Sequence, residues 1–469
     1  MLKFFRSSSV VPLEGFEMDS KQWREVPLPP KKEFDVFYSN IVLESKGSWL
    51  HSSYHLTTSI VAPPLLSIPY AFSFLGWGGG LLCLSAGALV TFYSYTLLSL
   101  VLEHHAQLGR RQLHFRAMAH DILGPSWGKY FVGPIQLAVC YGSVVAACLL
   151  GGQCIKAIYL LTNPDGEMKL RYFVIVFGGL MLILAQMPSF HSLRHINLTS
   201  LILCLAYSAC TTAASIYVGI NNNASEESKT DYSVVGKTKD RIYGVFSAIA
   251  IIATTFGNGM IPEIQATIVP PVKEKMFKGL ILCYTIVLAT IFSVAVSGYW
   301  AFGNKSHGQI LSNFVVNGNP LLPRWFVIMT ITFVTFQLAA FGVVYMQPTN
   351  EVLENLLSDP KSHPFSQRNV IPRVLSRFIF VASATFLAAV LPFFGDIMGI
   401  IGAFGFLPLD FALPVIFYNI TFRPSMRSFI FWANLVVMGL FFVLVVVGYA
   451  AAIREIVLDA NFFRLFPHL

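Results

Sequence analysis

Three prolines, Pro63, Pro64 and Pro69, interrupt an apolar run from Leu56 to Trp77 that is long enough to cross a bilayer. Proline has no N–H group, so the carbonyl four residues before each proline loses its partner within a helix. Each orphaned carbonyl in lipid costs on the order of several kcal/mol, so this backbone must face protein or a polar cavity. The pattern predicts a membrane span that is broken at a binding site, with a simple proline kink as the alternative.

A second interruption lies in the apolar run 242–268, where Gly257 and Gly259 loosen the helix and Pro262 frees the carbonyl of Asn258. Two broken spans in corresponding halves of a chain are typical of an inverted five-helix repeat. In such folds the N-termini of half-helices present N–H groups to an anion, while unwound carbonyls hold cations. A zwitterion suits both ends, which predicts a secondary transporter for a small amino acid-like solute.

The composition indicates the class of protein that positions these breaks. The 469 residues are 55% hydrophobic and 12% charged, which is typical of an integral membrane protein. We predict an all-α bundle of eleven transmembrane helices with a 5+5 inverted repeat, broken first and sixth helices, and a tight turn at Gly78–Gly80. The basic residues form no stripe for nucleic acid. No nucleophile–base pair, metal cluster or nucleotide loop is present, so we expect neither an enzyme nor a bound cofactor or metal.

The lysine and arginine residues predict the orientation in the membrane. With the N-terminus in the cytosol, 21 of them fall inside and 10 outside. Asn223 and Asn304, each in a glycosylation sequon, then lie outside and are candidate modification sites. The predicted divisions are a flexible cytosolic tail (1–46), a first repeat (47–220), an extracellular loop (221–241), a second repeat (242–420), and an eleventh helix with an extracellular C-terminal tail (421–469).

Five strings of the chain form a pattern found in one family: Ala62–Ala71, Thr91–Ser99, Gly257–Thr267, Leu391–Asp396 and Gly402–Asp410. They resemble the amino acid/auxin permease family, and within it the plant 4-aminobutyrate (GABA) permease branch. The resemblance implies an eleven-span, leucine-transporter-like fold and proton-coupled import at the plasma membrane.

Given this resemblance, we expect the first break to bind the substrate carboxylate. The donors are the backbone N–H groups of Leu65, Leu66 and Ser67, together with the Ser67 hydroxyl. The alternative is that this hydroxyl only bonds a carbonyl that a proline has freed. Pro64 stands where we expect alanine in the GABA branch, and a second consecutive proline alters the shape of the pocket.

We expect the second break to hold the substrate ammonium. Its ligands are the carbonyls of Thr255–Gly257 and the ring faces of Phe256 and Tyr70, which attract cations by about 0.5–2 kcal/mol. The predicted substrate-binding residues are Ala62, Pro63, Leu65, Leu66, Ser67, Tyr70, Thr255, Phe256 and Gly257.

Glu263 is the first candidate for proton handling, because an acid at a break inside a span is costly unless it is paired or functional. The alternative is a permanently charged carboxylate that caps freed N–H groups. His55, at the inner entrance of the first span, titrates near neutrality and is the second candidate. We expect Asp396 and Asp410 to be solvated at the membrane interfaces, and His114 to lie in a wetted inner loop.

The sequence therefore predicts a secondary active transporter that imports GABA or a related small amino acid together with a proton, by alternating access. The partners are a zwitterionic substrate, the proton and the lipid bilayer, with no nucleic acid. Sodium coupling, a broader neutral amino acid range and a non-transporting sensor on the same fold remain as alternatives. Carbonyl and hydroxyl groups alone can bind sodium, so the residues do not exclude it.

Overall fold

The computed structural model describes residues 48–110, 112, 114–186, 193–224, 230–235, 238–268, 272–316, 319–359 and 366–462. The predicted cytosolic tail and the last seven residues lie outside this part of the chain. The regular secondary structure of the described part is helical apart from one small antiparallel hairpin. In this hairpin Val315 pairs with Pro320 and Val316 with Asn319.

The helices are numbered here in chain order. A short turn, Pro125–Trp127, and a π-helical turn, Gly128–Val132, precede α4, and a long π-helical segment, Ile401–Ala412, joins α12 to α13. The α-helices are α1 (Trp49–Ile60), α2 (Ile68–Gln107), α3 (Phe115–Ile122), α4 (Gly133–Thr162), α5 (Leu170–Leu184), α6 (Leu193–Ala224), α7 (Thr238–Phe256), α8 (Ile261–Ala266), α9 (Lys273–Phe302), α10 (Arg324–Leu357), α11 (Gln367–Val390), α12 (Phe394–Ile400), α13 (Leu413–Phe422) and α14 (Phe429–Phe462); the strands are β1 (Val315–Val316) and β2 (Asn319–Pro320).

Nine helical segments of the described part are long and apolar enough to cross a membrane, and α5 is apolar but shorter. One of the nine, Pro63–Gln107, is interrupted at Gly76, whose φ of 67° and ψ of −179° are not helical. Almost only glycine takes this conformation. The turn predicted at Gly78–Gly80 is therefore wrong, because those glycines continue the helix and the interruption falls before them.

Burial separates the centre of the bundle from its edge. In the most apolar stretch of the span 240–266, which covers most of α7 and all of α8, 83% of the residues are buried, whereas in that of α14 only 11% are buried. A helix that is apolar all round yet exposed in the protein needs lipid around it. The second interrupted helix thus lies at the centre, and α14 lies at the lipid-facing edge.

Candidate functional site

The first break lies between α1 and α2, as the prolines predict. α1 ends at Ile60, Ala62 is extended (φ −119°, ψ 170°), and a 3-10 turn covers Pro63–Ser67. The N–H groups here bond to nearby carbonyls, from Ala62 to Ile60 at 2.8 Å and from Leu65 to Ala62 at 3.1 Å. The first break therefore closes mainly on its own backbone.

The second break lies between α7 and α8, and side chains from other helices hold it. The Asp410 carboxylate accepts the N–H groups of Asn258 at 3.1 Å and of Gly259 at 3.2 Å. Gly259 has a φ of 63°, which is strained for any residue with a side chain. The carbonyl of Asn258, which Pro262 frees, accepts the Tyr345 hydroxyl at 3.2 Å. Unpaired groups that would be costly in lipid are thus satisfied by protein.

Asn258 also connects the two breaks directly. Its side-chain amide donates to the Ser59 hydroxyl, in the last turn of α1, at 2.7 Å. Its side-chain oxygen accepts the N–H of Met260 at 3.1 Å. Asn258 and Ser59 are both buried. The two interruptions therefore meet inside the protein.

A buried cavity lies where the breaks meet. Its volume is about 10 Å³, which is close to the minimum that holds one water molecule. An amino acid needs more room, so this conformation must widen to admit one. The lining residues are Ser59, Ala62, Pro63, Pro64, Ser143, Ala146, Ala147, Thr254, Gly257, Leu338, Phe341, Tyr345, Phe394, Met398, Ile401 and Phe406.

Three predicted substrate residues, Ala62, Pro63 and Gly257, line this cavity together, and so does Pro64. Gly257 has no room for a side chain, because an added Cβ would lie 2.2 Å from the ring of Phe406. Backbone from both breaks therefore borders the same space.

The remaining predictions from the first break surround the cavity without lining it. Leu65, Leu66 and Ser67 have no exposed surface, and within the described residues the Ser67 hydroxyl has no hydrogen-bond partner. Tyr70 packs edge-on against Phe74, with ring centroids 5.0 Å apart.

The other two predicted residues of the second break, Thr255 and Phe256, do not line the cavity in this conformation. The Thr255 hydroxyl donates to the carbonyl of Ile251 in its own helix at 3.0 Å. The Phe256 ring packs against Gly87 of α2, where an added Cβ would lie 3.1 Å from it. The Phe256 carbonyl accepts the Tyr95 hydroxyl at 2.9 Å, so this oxygen already has a partner.

Glu263 belongs to a charged network below the second break. Its Oε1 lies 2.9 Å from His114 Nδ1 and accepts the side-chain amide of Gln136 at 3.0 Å. His114 Nε2 lies 3.0 Å from Glu351 Oε1 in α10. Burial lowers the pKa of His114, but hydrogen bonds and charge interactions with the two glutamates outweigh it and raise the pKa to about 10. His114 therefore carries a positive charge at neutral pH and connects the segment before α3 to α8 and α10.

Two expectations about the charged residues are wrong. His114 is not in a wetted loop, since only 15% of its side chain is exposed and it bridges two carboxylates. Asp396 and Asp410 are not solvated at interfaces, since their exposed fractions are 4% and 0%. Asp410, rather than Glu263, caps the freed N–H groups. The missed signal was its place within an apolar span, where an acid by itself indicates a function.

The other candidates lie at the edges of this site. His55, in α1, is half-buried with its ring centroid 4.2 Å from that of Tyr54. The Asn304 side chain donates to Asp231 at 2.8 Å and to Ser233 at 3.2 Å in a loop. The side chain of Asn223 lies outside the described residues.

A bundle of nine helical segments, within the described residues, that are long and apolar enough to cross a membrane is the architecture of an integral, multi-pass membrane protein. The structure is similar to the crystal structure of MhsT in complex with L-phenylalanine, with a TM-score of 0.53, 11% identity, and coverage of 86% of this chain and 98% of that one. This likeness concerns the fold alone, which is leucine-transporter-like.

Residues 45–454 match the family model described as "Transmembrane amino acid transporter protein", and the chain belongs to this family of amino acid transporters. It is 59% identical to GABA transporter 1 of Arabidopsis thaliana over 430 residues, which cover 91% of this chain and 95% of that protein. It is 26% identical to Lysine histidine transporter-like 1 of the same plant, with 96% and 97% covered. The resemblance seen in the sequence is confirmed.

Proposed function

We propose that this transporter imports GABA or a related small amino acid across the plasma membrane, together with a proton, by alternating access. The observation that carries the proposal is the cavity bordered by backbone of both breaks, with two acids at the second one, the fully buried Asp410 and the partly buried Glu263. The 59% identity to a protein named for GABA transport supports the substrate class.

The proposed substrate site extends from the cavity into both breaks. The carboxylate would bind the N–H groups of Leu65, Leu66 and Ser67 and the Ser67 hydroxyl, which has no partner among the described residues. The Leu65 N–H would then leave the Ala62 carbonyl that it bonds in this conformation. The ammonium would lie near the carbonyl of Gly257 and near the rings of Tyr70 and Phe256, which are predicted to attract it. Since the cavity holds about one water in this conformation, transport requires the breaks to separate and then to close around the substrate.

The proposed membrane arrangement has eleven crossings in a 5+5 inverted repeat. Counting the Pro63–Gln107 segment as two crossings at Gly76 and including α5 gives this number. The excess of basic residues on one side supports a cytosolic N-terminus and an extracellular C-terminus. The division at 220 and 242 then places one broken helix near the start of each repeat.

Energetics favour coupling to an ion. GABA has no net charge at neutral pH, so the membrane potential alone does not accumulate it. One co-transported proton gains about 2.3 kcal/mol per 100 mV, which sustains a gradient of about fiftyfold before any pH difference is added. Glu263 and His55 are the candidates for proton handling that the sequence offers.

Uptake of labelled GABA into proteoliposomes that contain the purified full chain tests the proposal. We expect accumulation when the outside is acidic, its collapse with a protonophore, and no requirement for a sodium gradient. Sodium-dependent uptake that is indifferent to pH would contradict proton coupling. Dissipation of a GABA gradient without accumulation would indicate a channel, and specific binding without uptake would indicate a sensor.

The alternative of a broader substrate range has one supporting observation, since other relatives are named for lysine and histidine transport. A competition panel of ω-amino acids, neutral α-amino acids and basic amino acids, run on the same vesicles, separates the two readings. We expect GABA and other ω-amino acids to compete most strongly.

A further inference from the structure

We infer that Asp410 is the residue that binds and releases the transported proton, rather than Glu263. The inference rests on the proposed proton-coupled transport and assigns the coupling step to one side chain. Its basis is a difference in burial and in hydrogen-bond partners between the two acids at the second break.

Asp410 is fully buried and is bonded by neutral donors. Its carboxylate accepts the N–H groups of Asn258 and Gly259, and no lysine, arginine or histidine of the described residues pairs with it. The titratable groups that face it are Tyr95 from α2, Tyr284 from α9 and Tyr345 from α10, together with the carboxylate of Glu263 in α8.

These surroundings act in opposite directions on the Asp410 carboxylate. Burial and the negative charge of Glu263 penalise the charged form, whereas the two N–H bonds stabilise it. A side chain that must accept a proton in one state and release it in another needs this balance. Glu263 has different surroundings, because its carboxylate lies 2.9 Å from the His114 ring and also accepts the side-chain amide of Gln136 at 3.0 Å.

Tight packing holds Asp410 in place against the break. It lies in the π-helical segment 401–412, and such segments are frequent at functional sites. Gly402, in the same segment, packs so closely on α7 that an added Cβ would lie 1.9 Å from the Ala250 carbonyl oxygen. The Thr254 hydroxyl donates to the carbonyl of Met398 at 2.7 Å. The segment that carries Asp410 is therefore packed closely against α7, the helix that ends at the second break.

Asn258 connects the protonation state of Asp410 to the substrate cavity. A proton taken from solution converts the carboxylate into a neutral acid, and its two charge-assisted bonds to the N–H groups of Asn258 and Gly259 weaken. Asn258 follows Gly257, which lines the cavity, and its amide holds Ser59 of the first break at 2.7 Å. Proton binding at Asp410 thus changes how firmly the two breaks are held together.

The test uses Asp410→Asn in the full chain, reconstituted in proteoliposomes, with two measurements. Wild type should both exchange GABA without a gradient and accumulate it, by up to about fiftyfold, under an imposed membrane potential of about 100 mV that is negative inside. Because the asparagine oxygen still accepts an N–H bond, D410N should retain exchange, lose accumulation, and lose stimulation by external acid. Asp240→Asn, which neutralises a carboxylate of the protein surface paired with Arg454 at 2.7 Å, is the control and should retain all three.

Acid-stimulated accumulation by D410N would overturn the inference. So would a result in which Glu263→Gln loses acid-stimulated accumulation while D410N keeps it. If D410N loses exchange as well, Asp410→Glu decides. Activity of D410E with a shifted pH midpoint supports the inference, and an inert or unshifted D410E would show that Asp410 is only a structural cap. Failure of the proposed function is seen separately, as a lack of proton-driven accumulation in wild type.

Discussion

The two interruptions differ in what holds them open. The first, between α1 and α2, is mostly apolar and closes mainly on its own backbone, with N–H groups bonded to carbonyls a few residues away, and its Val61 carbonyl also accepts the Cys204 thiol. The second, between α7 and α8, depends on side chains from distant parts of the chain, namely Asp410 for its N–H groups and Tyr345 and Tyr95 for its carbonyls.

This difference indicates that the two breaks have different roles: the first has a fixed shape, and the second responds to protonation. Proline fixes the shape of the first break at low conformational cost, since the ring restricts the backbone even in the unfolded chain. The second break needs buried polar groups, and such groups are costly unless every one is paired. A break that depends on a titratable partner can respond to a proton, whereas one that is closed by proline cannot.

The largest effect is expected from Gly402→Ala, which forces the π-helical segment away from α7. The added methyl group would lie 1.9 Å from the Ala250 carbonyl oxygen, and overpacking against backbone costs about 3 kcal/mol or more. Uptake and the yield of monodisperse protein should both fall by about tenfold or more. Gly439→Ala, with no atom within 4 Å of the added carbon, is the control; equal behaviour of the two variants would contradict the close packing.

Tyr345→Phe tests whether the second break depends on its side-chain donors. The change leaves the buried carbonyl of Asn258 without its 3.2 Å partner, which costs about 1–3 kcal/mol. We expect the melting temperature to fall and GABA affinity to weaken by about tenfold. Tyr449→Phe, at an exposed position in α14, should change neither. A wild-type melting curve for Y345F would mean that the break holds itself open.

His114→Gln tests the charged network beneath the second break by its pH dependence. The pKa of His114 in the folded protein, about 10, lies above its ordinary value of 6.5, so its stabilisation is complete below pH 6.5 and is lost as the pH rises through 10. Because Glu351 is partly exposed, we expect a loss of about 1–3 kcal/mol at pH 6.5. The difference in melting temperature from wild type should shrink towards pH 10.

The matched control for this measurement is His120→Gln, whose ring is 57% exposed and lies 3.2 Å from Asp121. Its effect on the melting temperature should be small at every pH, since exposed ion pairs contribute little. A His114 effect that stayed constant up to pH 10 would show that packing, rather than charge, holds this network.

The smallest effect is expected from Ser67→Ala in the first break. The Ser67 hydroxyl is buried and has no partner within the described residues, so its removal should leave the melting temperature unchanged. If the hydroxyl binds the substrate carboxylate as proposed, KM should rise by about fivefold, which corresponds to about 1 kcal/mol. Ser73→Ala, whose hydroxyl already bonds the Tyr70 carbonyl at 2.7 Å, should leave KM unchanged.

Much of the local structure followed from residue types. Pro63, Pro64 and Pro262 predicted where two helices break, because a missing N–H group acts within four residues of its own position. Asp410 could not be placed in the same way. Its place within an apolar span indicates a functional acid, but the π-helical segment that brings it to the second break is not visible in an apolar pattern.

By itself, the sequence determined the class of protein, the family, the apolar spans and the positions of both breaks, since each of these depends on composition or on contacts between near neighbours. Only the tertiary structure decided which side chains complete the second break, because Asp410 lies 151 residues along the chain from Gly259, and Glu263 lies 149 from His114. Pairings of this kind depend on how helices pack, and no spacing along the chain encodes them.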